Sequence, residues 1–188
     1  AEYTGSWLAS DPSEKRKMLD KCRLFAKKSL EAYRNAGEQL DYGTMGNNLL
    51  LCLLERFHVA SDLNETREIA QEGMNCADEI ITMLEKLENK VELLRAYSTA
   101  SLQSWYAYII EPRNELMQRS LSYSEKALKI SKEVDDIYYI AMSNWAAALC
   151  SLLFTENVAK SVEYAKEMLE QGKVLRDNYV KGVSSYVL

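Results

Sequence analysis

Proline and glycine are scarce in this chain, two and seven in 188 residues, and that scarcity excludes most turn-rich architectures. Both prolines, Pro12 and Pro112, stand where a helix should begin or end. There is one histidine, His58, and the four cysteines form no CxxC pair, so no spaced ligand set for zinc exists and neither a metal nor a cofactor is expected. Cys22, Cys52, Cys76 and Cys150 fall in or beside apolar stripes and read as reduced, small core residues.

Long apolar runs are missing too. No stretch approaches the roughly 18 residues of a membrane span, and residues 1–20 lack the basic and apolar regions of a signal peptide. A soluble, cytoplasmic segment with no membrane contact is the expectation. With 28 acidic and 23 basic residues the net charge is -5, and no Lys and Arg run is interleaved with aromatics, so no nucleic-acid partner is expected through this segment. The glycines are isolated, which excludes a phosphate-cradling loop. Cys52 and Glu55 precede His58 on the same helical stretch and cannot form an oriented triad with it, and Glu55 and His58 read as a solvated i, i+3 pair. The chain is therefore not expected to be an enzyme. Asn64-Glu65-Thr66 matches a glycosylation sequon but reads as a polar helix start.

What remains is helix. Asp11-Pro12-Ser13-Glu14 offers an N-cap, a proline at the first helical position and an acid in the first turn. The spacing predicts a first helix over 12–36, with Met18, Cys22, Phe25, Ser29, Ala32 or Tyr33 and Ala36 on its buried face and Gly37 as its left-handed stop. Further helices are predicted from about Asp41 to Val59, from Ser61 or Asp62 to Leu87, from Val91 to Ile110, from Asn114, from Ile137 to Thr155, from Asn157 and from Asp177. Gly43 and Gly46 lie near the start of the second, where a missing side chain lets a neighbour approach closely. In SLSYSEKALKISKEVDDIYYIAMSNWAAALCSLLF, residues 120–154, two apolar stripes flank Asp135-Asp136, and neither can be buried by one hairpin alone.

The hairpins repeat. Leu30, Ile81, Leu128 and Leu169 take matching places on the first helix of each pair, and the turn follows seven residues later at Gly37, Glu88, Asp135 and Arg176. MGNN at 45–48 lines up with MSNW at 142–145. A two-helix unit of about 40 to 50 residues is the mark of an α-solenoid, since each unit exposes a face that only the next can cover. The expected fold is all-α, an α-α superhelix of about four antiparallel hairpins in a single domain. Its repeats are near 12–60, 61–111, 113–155 and 157–188, and the chain reads as a fragment of a longer protein.

YSEKALKISKEVDDIYYIAMSNWAAAL at 123–149 resembles the tetratricopeptide-repeat superfamily in the longer-unit form of LuxR-type transcription regulators and signal-transduction ATPases. The resembling pattern is a helix ending Ala-Leu-x-Ile, an acidic turn, then Ala-x-x-Asn-x-Ala. The shorter signature of period about 34 is not matched in full, and a bundle of antiparallel helices is the alternative architecture. The resemblance implies a protein-interaction, scaffold or sensor arm whose second helices line a concave groove for a protein or peptide partner. Asn47, Tyr97, Tyr138 and Asn144 are the candidate groove residues, because amides and phenols can hydrogen-bond a peptide backbone without demanding its sequence. Asn47 and Asn144 also read as residues that satisfy backbone groups at helix junctions. Trp105 and Trp145 read as core, and Tyr106 and Tyr139 as surface. The alternative functions are a regulatory segment that binds a small-molecule effector, and an oligomerisation module pairing with a second copy through the C-terminal helix.

Overall fold

The computed structural model describes residues 11–176 together with 180, 181, 184 and 185. It is all-α. Among the described residues there are seven helices and no strand: α1 (Pro12–Ala36), α2 (Gln39–Phe57), α3 (Leu63–Leu87), α4 (Lys90–Ile110), α5 (Asn114–Ser131), α6 (Ile137–Leu153) and α7 (Val158–Leu175). Residues 180, 181, 184 and 185 are also helical. The rest of that last segment, on which the oligomer reading depends, lies outside the described residues. No helix among those described is long and apolar enough to cross a membrane.

Caps set the boundaries. Asp11 accepts a hydrogen bond from the Ser13 N–H at 3.1 Å, Asp62 from Glu65 at 2.9 Å, and Asn157 from Lys160 at 3.0 Å, each satisfying an otherwise orphaned donor for about 1 kcal/mol. Asp136 caps α6 through the Tyr139 N–H. Three of the four turn positions of the repeat frame adopt left-handed backbone: Gly37 at φ 76°, Glu88 at 52° and Arg176 at 54°. Asp135 does not, because α5 stops earlier, at Ser131, and a short non-helical link leads into α6.

The chain divides into two compact units, residues 1–92 and 93–188. In the first unit α2 packs against both α1 and α3. Its buried glycine edge explains part of that packing: a Cβ on Gly43 would sit 2.6 Å from Leu84 Cδ2, and one on Gly46 would overlap the Ile80 side chain. The close neighbours are thus side chains of α3, which fill the two notches. Beyond them Leu49 to Arg56 is buried without a break, since α2 has neighbours on opposite sides.

In the second unit α6 plays the same part. Ala141 to Ser151 is wholly buried, and α5 and α7 both pack on it. Small residues let the helices approach, and their hydroxyls then need partners. Ser98 pairs with Ser143 at 2.7 Å, Ser101 donates to Ser120 O at 2.8 Å, and Ser161 donates to Ala148 O at 2.8 Å.

Several stripes are displaced from the expected register. On α1 the buried residues are Leu19, Ala26 and Leu30, while Phe25 is 55% exposed. The apolar stripe lies one position further along the chain, because it faces α2 alone and its flanks carry ion pairs to α2 and α3. Leu30 and Ile81 are buried as the frame requires, but Leu128 and Leu169 are half-buried; Ala127 and Met168 take the deepest places beside them. Trp145 is buried and Trp105 half-buried.

Candidate functional site

The four residues chosen from sequence are held in separate settings. Asn47 belongs to the first unit and is buried, donating from Nδ2 to Glu92 O at 2.9 Å and to Glu92 Oε2 at 2.7 Å. This is the helix-junction role. Tyr97, Tyr138 and Asn144 belong to the second unit. Tyr97 is buried, its ring 5.6 Å from that of Tyr123, and Lys126 Nζ lies 4.9 Å from its centroid. Asn144 is buried and donates to Gln171 Oε1 at 3.1 Å. Tyr138 is half-buried with its ring edge-on to Tyr139. Tyr139 itself is buried with the Arg95 guanidinium over its ring, so it is not the surface residue its position off the stripe suggested.

A cleft of about 760 Å³ lies in the first unit, away from these four residues except through the shared helix α2. Its walls are α1 and α3, and α2 supplies part of the floor. Leu30, Leu49, Cys76 and Ile80 make the bottom apolar. Lys27, Glu31 and Arg34 stand on the α1 wall, and Glu68, Gln71, Glu72, Asn75 and Glu79 on the α3 wall. Tyr42 closes one end, where a second hollow of about 280 Å³ continues past Met83.

Charge holds the two walls in place. α1 and α3 run parallel, tied by Arg16 to Glu65 at 2.7 Å, Arg23 to Glu72, Lys27 to Glu72 at 2.9 Å, and Arg34 to Glu79. The acids recur every seven residues, two turns of helix, so each rung meets the same face. Burial alone raises the Glu72 carboxyl, yet hydrogen bonds from Arg23 and Lys27 outweigh it and keep the group below its ordinary range. Tyr42 OH bridges Arg34 and Glu79; its burial, with Glu79 beside it, holds the phenol above its usual pKa. Glu31 and Glu68, one on each wall, have no ion-pair partner among the described residues.

At the other end Glu65 knots three elements together. Its Oε2 accepts from the Ser61 N–H at 2.6 Å and hydroxyl at 2.8 Å, while Oε1 accepts from Arg16 and Arg56. The Ser61 N–H, then the hydroxyl and Arg56, lower this carboxyl to about 2. Glu55, expected to pair with His58 in water, is buried and bonds Lys15 at 2.7 Å, because α1 crosses that face of α2.

All four cysteines are free. A hydrogen bond with Cys22, together with burial, pushes the Cys52 thiol up, and burial pushes Cys76 up to about 12. Cys76 lies in the cleft floor as a neutral thiol at ordinary pH. Among the described residues no cluster of His, Cys, Asp and Glu has the geometry to hold a metal ion.

The cleft residues escaped the repeat-based reading, which followed apolar positions. Their signal was in the charges: acids at 65, 72 and 79 against cations at 16, 23, 27 and 34 mark two parallel helix faces. Compared with protein-family models and with curated protein sequences, the chain matches none.

Proposed function

We propose that this chain is a tetratricopeptide-like, non-enzymatic interaction arm that works in the cytoplasm and docks a peptide segment of another protein in the cleft between α1 and α3. One observation carries the reading: two parallel helices, fixed by ion pairs, stand as walls over an apolar floor that a third helix completes. That is a groove for an elongated occupant. Amphipathic segments bind such grooves by laying an apolar face on the floor and leaving polar groups to the rim. The floor is rigid, since Leu49 and Ile80 are packed in the core on their far sides, so little ordering is needed when the segment arrives.

The test is selection of a displayed library of random 16-residue peptides on the folded chain, with Asn75→Trp as the counter-target. Asn75 is exposed on the α3 wall and makes only a local bond from Gln71, so the indole fills the cleft mouth without touching the core. Peptides that bind the parent chain and lose at least tenfold in affinity for the variant are expected. No enrichment, or enriched peptides that bind both chains equally, would remove the cleft as the docking site.

A further inference from the structure

The cleft has an electrostatic surplus that points to the chemistry of its occupant. Its two cations are already engaged, Lys27 with Glu72 and Arg34 with Glu79, and Glu72 receives a second cation from Arg23. Glu31 and Glu68 are left over, on opposite walls. The Arg16–Glu65 and Arg34–Glu79 pairs fix the register of the walls, and at 1.5 Å per residue Glu31 and Glu68 lie about 12–18 Å apart along the cleft. The apolar floor residues Leu30, Leu49, Cys76 and Ile80 lie towards the Glu31 end of that span.

A small cation cannot reach both carboxylates, and an acidic or neutral segment leaves both unanswered. From this geometry we infer that the occupant is a basic amphipathic helix of another protein, with Lys or Arg side chains two to three turns apart and an apolar stripe on the same side. The cations meet Glu31 and Glu68, and the stripe rests on the floor. This partner class rests on the docking reading above. Because the two carboxylates sit at the rim in contact with water, their contribution falls with salt while the apolar contact persists.

Three synthetic 18-residue helical peptides with one common apolar face and Lys, Gln or Glu at the flanking positions separate these terms. Fluorescence anisotropy at about 50 and 300 mM NaCl is read for the parent chain, for Glu31→Lys/Glu68→Lys and for Asn75→Trp, each checked for an unchanged melting temperature. The Lys peptide is expected to bind the parent at least tenfold more tightly than the Gln peptide at low salt. The charge-reversed variant should invert that order in favour of the Glu peptide, and Asn75→Trp should weaken all three. Equal binding of Lys and Gln peptides, with loss in Asn75→Trp, overturns the basic partner and leaves the docking cleft standing. Binding that Asn75→Trp does not alter, or no binding by any peptide, overturns both.

A second copy of the chain is the remaining occupant to exclude. The outer face of α1 carries exposed Lys17, Lys21 and Lys28 around Leu24 and Phe25, the same chemistry in one helix. Sedimentation that shows concentration-dependent association of the parent but not of Asn75→Trp would assign the cleft to that copy and overturn the foreign partner.

Discussion

Single residues in the first unit carry unequal weight, and two of them can be tested directly. Glu65 joins the start of α3 to Arg16 of α1, Arg56 of α2 and the loop at Ser61. Replacing it by Ala should cost about 1.5–3 kcal/mol in urea unfolding at pH 7, the range for hydrogen bonds to a charged group. Its pKa of about 2, against 4.5 for an ordinary glutamate, sets the sign with pH. The folded form holds the charge more tightly, so the stabilisation is complete above pH 4.5 and disappears as pH falls towards 2. Parent and Glu65→Ala curves should therefore converge in acid; a constant gap from pH 7 to 2.5 would contradict the assignment. Gly46 acts through volume. A side chain there meets Ile80 directly, and Gly46→Val should lower stability by roughly 1–3 kcal/mol, while Asn48→Ala, on the exposed side of the same turn, should be near neutral.

Among elements, the helix ends were legible and the helix faces less so. Glu88 ends α3 at φ 52°, a backbone state that costs an L side chain and that glycine enters freely. Glu88→Gly should raise stability by about 0.5–1 kcal/mol despite the looser unfolded chain, read as an upward shift of the urea midpoint at constant slope. Ala141 lies within the buried run of α6, between α5 and α7. Ala141→Leu should destabilise by roughly 1–3 kcal/mol through overpacking, and an unchanged melting temperature would mean that α6 has more room than its alanines imply. Caps could be read from sequence because they are local: Asp11-Pro12 and Gly37 act within one turn of themselves. Faces could be read only in part, because burial depends on neighbours. Phe25 fits an apolar period yet faces water, and Asn47 fits either a groove or a helix junction in sequence, while its bond to Glu92 appears only in the structure. The cleft needed the pairing of α1 with α3, which lies in charges about 49 residues apart and not in any hydrophobic period.

At the scale of the molecule, charge is sorted unevenly. The chain is net negative, yet α1 holds eight basic residues and only three acids, and five of its cations reach acids on α2 and α3. Raising NaCl from about 0.05 to 0.5 M should lower the melting temperature by about 2–4 °C, as expected when several part-exposed pairs are screened. A rise would show that repulsion among the surplus acids outweighs the bridges.

The paired acids of α3 repeat every seven residues, and a pattern that repeats is satisfied at more than one setting. Sliding α3 by one rung, about 10 Å, would still offer Arg16 and Arg23 an acid each. The notches at Gly43 and Gly46 do not repeat: they admit Leu84 and Ile80 at one setting only. Two missing side chains thus act as the detent that picks a single alignment from those the charges allow, and the shape of the cleft is inherited from that choice.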